Sequence, residues 1–133
     1  MKLLYLDSSA IVKLVVREPE TEALIALLAD WPERVSSALS RVEVMRAARR
    51  AGGGEAVLSR AEEVLARIGL IHFDGGVLEI AAGLDDRRLR TLGAIHISTA
   101  LSLGEDLGAI VTYDERMKAA SEAAGIKVLA PAG

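Results

Sequence analysis

At 133 residues with a formal net charge of -3, the chain is long enough for one domain with a hydrophobic core and too short for two. The absence of cysteine excludes a disulfide framework, a thiolate zinc site and a cysteine nucleophile. The acidic balance argues against a passive nucleic-acid binder, although an enzyme that recruits divalent cations can still act on a polyanion. The chain has neither a signal-peptide pattern nor an apolar run long enough to span a membrane, so we expect a cytoplasmic protein with no membrane contact.

Apolar periodicity along the chain alternates between the strand pattern and the helix pattern, with glycine and proline at several breaks. Pro19 suits the first position of a helix, and Ser40 with Glu43 forms a capping-box pattern. Gly108 suits the end of a helix. In chain order, the pattern predicts strands at 2–6, 35–38, 70–73, 109–112 and 127–129, and helices at 8–16, 19–30, 40–50, 59–68, 77–84, 92–107 and 118–124.

The alternation of strands and helices predicts an α/β fold, with a central parallel sheet covered by helices on both faces in a single domain spanning 1–133. Sites in such sheets form beyond the carboxyl ends of the strands. The strand at 2–6 runs into Asp7, and the strand at 109–112 runs towards Asp114. If these strands are neighbours, both carboxylates lie at the same edge, where they repel each other unless a cation joins them.

A third acid, Glu43, lies in the first turn of its predicted helix, where it can point towards the same edge. Oxygen ligands without cysteine or a histidine pair favour Mg²⁺ or Mn²⁺ over zinc. Each acid also has an ordinary structural interpretation. Asp7 and Asp114 suit turn or N-cap positions, and Glu43 suits the capping box with Ser40. The functional hypothesis therefore depends on the combination of the three acids.

Four segments carry motifs that recur in a known family. They read LYLDSSAIVKL at 4–14, SALSRVEVMRAARR at 37–50, LRTLGAIHISTAL at 89–101 and IVTYDERM at 110–117. In order and spacing, they resemble the signature blocks of PIN domains, and in particular the VapC-type toxins of bacterial toxin–antitoxin pairs. This resemblance implies a three-layer α/β/α domain and a metal-dependent endoribonuclease that hydrolyses RNA phosphodiesters. It also implies a cognate antitoxin that inhibits the enzyme, and a homodimer.

The resemblance also assigns roles to individual side chains. Asp7, Glu43 and Asp114 match the family's acidic ligand positions, and the hydroxyls of Ser9 and Thr112 match positions that support the acids by hydrogen bonding. The implied reaction is in-line attack of a metal-activated water on a phosphodiester. Asp7 and Asp114 are then the most direct ligands, and Glu43 binds the metal through water or orients the nucleophile.

One position departs from the family pattern. Members usually carry an aspartate ligand in the block at 89–101 where this chain has Gly93. A glycine offers no side-chain ligand and lowers helix propensity by about 1 kcal/mol relative to alanine. We therefore expect weakened metal binding and weak or absent cleavage, with Asp85 and Asp86 as weak candidates for a replacement ligand. The alternative function is a catalytically impaired domain that binds an antitoxin or RNA.

Other polar residues have competing interpretations. We interpret His96 as a half-buried structural residue hydrogen-bonded to a neighbour, and His72 as a strand residue without a chemical role. Two arginine clusters suit either RNA phosphates or a solvated surface. They consist of Arg46, Arg49 and Arg50, and of Arg87, Arg88 and Arg90.

Two further alternatives concern the apolar segments and the fold family. The apolar residues of 12–16 and 19–30 suit a groove for an amphipathic antitoxin segment, but core packing explains them equally and is preferred. A receiver or a haloacid-dehalogenase phosphatase would usually need a second acid beside or two residues after Asp7. Ser8 and Ser9 occupy those places, which disfavours that alternative.

Overall fold

Short strands form one parallel sheet in the computed structural model, which describes residues 2–84 and 89–132. The strands are β1 (Leu3–Leu6), β2 (Arg34–Ser37), β3 (Gly69–Ile71), β4 (Leu107–Val111) and β5 (Val128–Leu129). Their order across the sheet is β3-β2-β1-β4-β5, and every neighbouring pair is parallel. The strands that lead to Asp7 and Asp114 are therefore neighbours at the centre of the sheet, as the functional hypothesis requires.

The connecting segments are mainly α-helical. The helices are α1 (Ser8–Val15), α2 (Thr21–Leu28), α3 (Leu39–Arg50), α4 (Gly54–Ala66), α5 (Gly75–Gly83), α6 (Thr91–Leu101) and α7 (Glu115–Ala123). A 3₁₀ turn at Gly104–Asp106 precedes β4. Within the described residues, no helix combines the length and the apolar character needed to cross a bilayer.

The two central strands divide the core into two layers. Alternate side chains of a strand point to opposite faces of the sheet. Leu4 and Leu6 therefore pack with α1 to α4 on one face, whereas Tyr5 packs with α6 and α7 on the other. All three side chains are fully buried. This arrangement confirms the predicted α/β/α architecture.

Several boundaries differ from the sequence prediction, because tertiary contacts override local pattern. Pro19 lies outside α2: the Thr21 hydroxyl donates to the Lys13 carbonyl at 2.6 Å and accepts from the Glu18 amide at 2.9 Å, which fixes a turn before the helix. The helix predicted at 59–68 begins at Gly54, after Gly52 and Gly53 reverse the chain with φ values of 78° and 90°.

The capping box predicted for Ser40 and Glu43 is wrong. The α3 helix begins at Leu39, and the hydroxyl of Ser40 bonds that of Ser36 at 2.7 Å in the core. Gly108 is also not a helix end, since α6 stops at Leu101 and Gly108 lies inside β4. A Cβ atom at Gly108 would lie only 2.5 Å from a ring carbon of Trp31, so the missing side chain makes room for the indole.

Candidate active site

Asp7 lies at the carboxyl end of β1 and caps α1. Its Oδ1 accepts from the Ala10 amide at 3.0 Å and from the Ser9 hydroxyl at 2.6 Å. Its Oδ2 accepts from the Thr112 hydroxyl at 2.5 Å, and Thr112 follows the neighbouring strand β4. Only 3% of Asp7 is exposed. Hydrogen bonds from α1 and from the end of β4 therefore hold this carboxylate in one orientation, and Ser9 and Thr112 make the contacts that the resemblance implied.

The surroundings of Asp7 disfavour its charge. Burial raises the pKa of the Asp7 carboxyl above its usual value, and the hydrogen bonds from Ser9 and Thr112 offset only part of this effect. Burial makes the charge of this carboxylate costly. A cation bound beside it would offset that cost, because it would neutralise the charge. Burial and the charge of Asp7 also raise the pKa of the Tyr5 phenol, which lies beneath the site.

Asp114 lies at the same sheet edge, three residues after β4. Its Oδ1 accepts from the amides of Arg116 and Met117 at 2.8 and 3.2 Å, so this carboxylate caps α7. The Arg116 Nε lies 3.8 Å from Oδ1, and the Asp114 side chain is 39% exposed. The capping roles considered for Asp7 and Asp114 are thus real. Both capping carboxylates also lie at the sheet edge where a cation site would need them.

Glu43 reaches the site from α3 and is held by a histidine. Glu43 Oε1 lies 2.6 Å from His96 Nε2, and His96 Nδ1 lies 2.7 Å from the Tyr5 hydroxyl. His96 is only 3% exposed, so the expectation of a half-buried residue underestimated its burial. The expected hydrogen bond to a neighbour is present. His72 is exposed just beyond β3.

These side chains share a cavity of about 350 Å³ at the sheet edge. Three acids, Asp7, Glu43 and Asp114, line it together with His96 and Gly93. Two arginines, Arg90 and Arg116, line it as well. Across residues 2–84 and 89–132, however, no three acidic or histidine side chains are grouped tightly enough to form a ready-made metal cluster. The cavity therefore collects oxygen donors suited to a hard cation without presenting them as a closed cage.

Apolar side chains fill the space beside Gly93. A Cβ atom built on this residue would lie 2.8 Å from Leu89 Cδ1 and 3.0 Å from Met117 Sδ. Both are the far ends of flexible side chains, which can move aside at low cost. The weak replacement candidates Asp85 and Asp86 lie outside the described residues, as do Arg87 and Arg88 of the second arginine cluster.

Sequence reasoning missed two contributors to this cavity. Arg116 stood out in no pattern, although its place two residues after Asp114, in the first turn of α7, is the signal that puts it at the same edge. The chemical link between His96 and Glu43 was also missed, because they are 53 residues apart and their contact depends on how α3 and α6 pack. Of the first arginine cluster, Arg50 lines an adjoining cavity of about 400 Å³ that shares Glu43.

Known proteins resemble this chain in both sequence and fold. The PIN domain family model matches residues 4–123. Ribonuclease VapC46 of Mycobacterium tuberculosis is 50% identical over 131 residues, which is 98% of this chain and 99% of that protein. A crystal structure of Mycobacterium tuberculosis VapC20, described as a toxin that cleaves the sarcin–ricin loop, is similar in fold. Its TM-score is 0.76 at 18% identity, and the match covers 96% of this chain and 99% of the VapC20 chain. A toxin–antitoxin complex from Klebsiella pneumoniae has a TM-score of 0.66 at 20% identity, covering 86% and 87% of the two chains.

Substitution of Asp7 tests how its buried charge affects stability. Because the pKa of Asp7 is higher in the folded state, its contribution to stability is lost as pH rises through that pKa. Asp7→Asn removes the charge and keeps an acceptor for Ser9 and Ala10. We expect it to raise the melting temperature at neutral pH in EDTA.

Asp7→Ala is the matched variant, since it removes the charge and the N-cap together. It should be less stable than Asp7→Asn by about 1–2 kcal/mol in urea unfolding, because the cap is lost and the Thr112 hydroxyl loses its partner. An alanine variant as stable as the asparagine variant would show that these hydrogen bonds do not matter.

Proposed function

The chain belongs to the PIN-domain family, and on that basis we propose that it is a metal-dependent endoribonuclease toxin of a toxin–antitoxin pair. One observation carries the proposal: Asp7, Glu43 and Asp114, from three separate elements, line one cavity at the carboxyl edge of the sheet. The 50% identity to a protein named as a ribonuclease supports the same activity here.

We assign the three carboxylates to a Mg²⁺ or Mn²⁺ ion. The donor chemistry supports this assignment, since oxygen ligands suit hard cations and both nitrogens of His96 are already engaged. When bound, such an ion neutralises charge on a phosphate and acidifies a water molecule. Asp7 is fixed by Ser9 and Thr112, so Asp114, whose side chain is 39% exposed, is the ligand with the most freedom to adjust to the cation.

Around the cation, the residues of the chain orient the substrate. Hydrolysis adds water across a P–O bond of RNA, with the attacking and leaving oxygens in line with phosphorus. Arg90 at the start of α6 and Arg116 in α7 line the cavity that holds the acids. A guanidinium group can donate two parallel hydrogen bonds to the oxygens of one phosphate. Arg90 and Arg116 therefore suit the phosphates of a bound RNA strand.

Neutralising either cavity arginine should weaken substrate binding. We expect Arg90→Ala and Arg116→Ala each to raise KM for RNA about tenfold, the effect of losing a charge-assisted hydrogen bond. Arg17→Ala is the matched control, because Arg17 is 72% exposed, pairs with Glu22 and does not line the cavity. Steady-state cleavage at two salt concentrations measures the effect. Equal KM values for all three variants would contradict a phosphate role.

Gly93 supports a second candidate function. The usual acidic position has no side chain here, and Leu89 and Met117 occupy the space beside it. A site with one ligand fewer binds its cation more weakly and has less charge to hold a second ion. The alternative is therefore a catalytically impaired PIN domain that acts by binding an antitoxin or RNA.

Restoring the acid separates these two functions. We expect Gly93→Asp to increase Mg²⁺ affinity and RNA cleavage at least about tenfold, after Leu89 and Met117 rotate away. Gly93→Ala removes the helix cost of glycine without adding a ligand, and it should cleave RNA at the wild-type rate.

Cleavage and antitoxin capture are measured on the same preparations, with Asp114→Asn as the inactive reference. Wild-type cleavage above that reference supports the ribonuclease. Capture of the antitoxin without any wild-type cleavage supports the binding module. Equal activity of wild type and Gly93→Asp would rule out the missing-ligand explanation.

The antitoxin surface that we propose is a groove beside α2. Leu24 and Leu28 are buried in the core, as the preferred interpretation held, whereas Ile25 is 45% exposed. Ile25 lines a groove of about 330 Å³ between α2 and α4, whose other side carries Arg60 and Arg67. An amphipathic segment with apolar and acidic side chains would complement this surface.

Helix α5 is the surface that we propose for a homodimer. Leu78 and Ile80 are 47% and 44% exposed, and Phe73, just before the helix, is 37% exposed. Large apolar side chains exposed within one short segment favour a contact surface. We expect light scattering to give the mass of a dimer, and Leu78→Glu with Ile80→Glu to give a monomer. Val42→Glu, at a 57% exposed position on α3, is the matched control and should leave the dimer intact.

A further inference from the structure

A buried chain of hydrogen bonds joins three elements beneath the acidic cavity. It runs from Glu43 on α3, through His96 on α6, to Tyr5 on β1, over distances of 2.6 and 2.7 Å. Tyr5 is fully buried and His96 nearly so, whereas the Glu43 side chain is 22% exposed. These hydrogen bonds therefore lead from the interior to the cavity wall, where they end on the Glu43 carboxylate.

With a neutral imidazole, the chemistry of the three groups fixes the direction of these hydrogen bonds. A carboxylate only accepts, so the hydrogen between Glu43 and His96 belongs to Nε2. In a neutral imidazole the other nitrogen, Nδ1, is then an acceptor. The Tyr5 hydroxyl, protonated at neutral pH, supplies the matching donor. Tyr5 thus reinforces the neutral tautomer of His96 that donates to Glu43.

This arrangement limits what Glu43 can offer to a ligand. Glutamate is long and has several rotamers, and an exposed end would normally move among them. Here one oxygen, Oε1, is committed to His96, which leaves Oε2 for the cavity. Asp114 likewise commits Oδ1 to backbone amides, whereas both oxygens of Asp7 already accept hydrogen bonds.

We propose that His96 is a positioning residue, which holds Glu43 Oε1 so that Glu43 presents a single oxygen to a cation in the cavity. Tyr5 acts one step further back by supporting the tautomer that donates to Glu43. The inference rests on the proposed function, because it takes Glu43 as a ligand. Its consequence for α6 is specific: this helix lacks an acid at Gly93, yet one turn later it still shapes the site through His96.

Cation affinity in a set of matched variants tests this role. We expect His96→Leu to weaken Mn²⁺ binding about tenfold in isothermal titration, as is typical when the partner of a ligand is lost. His96→Gln keeps an N–H donor near the place of Nε2 and should stay within about twofold of wild type. Tyr5→Phe should weaken Mn²⁺ binding less than His96→Leu, because His96 remains and its Nε2 still donates to Glu43.

A stability control separates positioning from general damage. Ile97→Ala alters the neighbouring buried residue on α6 and should lower the melting temperature by a similar amount without touching Glu43. It should leave Mn²⁺ affinity unchanged. Nitrogen NMR of the imidazole gives a readout independent of any cation, with the Nε2-protonated tautomer expected in wild type and a larger Nδ1-protonated fraction in Tyr5→Phe.

The outcomes distinguish this inference from the function on which it rests. Wild-type affinity in His96→Leu, or an equal loss in Ile97→Ala, would overturn the positioning role while leaving the cation site intact. An Nδ1-protonated tautomer in wild type would overturn it as well. A wild-type chain without saturable Mn²⁺ binding would instead remove the proposed cation site, and the positioning role with it.

Discussion

The parallel pairing of β1 with β4 is the contact on which the candidate site depends. Leu6 lies opposite Val111, and the Asp7 amide donates to the Val111 carbonyl at 3.2 Å, so the two strands end level with each other. The residues that follow them, Asp7 and Thr112, consequently meet by hydrogen bonding although they are 105 positions apart. A shift of one residue in this register would turn Asp7 or Thr112 to the opposite face of the sheet.

The same pairing creates an energetic conflict at Asp7. A carboxylate buried between two strand ends loses hydration, and three hydrogen bonds compensate only in part, as its raised pKa indicates. Stability alone would favour a neutral side chain at this position. Functional sites commonly retain such unfavourable groups, because a ligand that neutralises the charge restores the lost stability on binding.

Most of the fold was accessible from local pattern. The apolar runs that end at Asp7 and before Asp114 predicted the two central strands, and both strands are present. Errors arose where a tertiary contact decided a boundary, as with Thr21 before α2 or Trp31 over Gly108. The candidate site followed the same division. The acids were identified from the sequence, and their role as ligands stays a prediction, whereas Arg116 and the His96 link to Glu43 emerged only from packing.

The sequence by itself determined the alternation of strands and helices and the order of the three acids, with Gly93 between the second and the third. Periodicity and residue type are local properties. Only the tertiary structure decided that β1 and β4 are neighbours, that α6 brings His96 against Glu43, and that Leu89 and Met117 close the space beside Gly93. Those contacts join residues far apart in the chain. Their geometry depends on how whole elements pack, which no short window of sequence specifies.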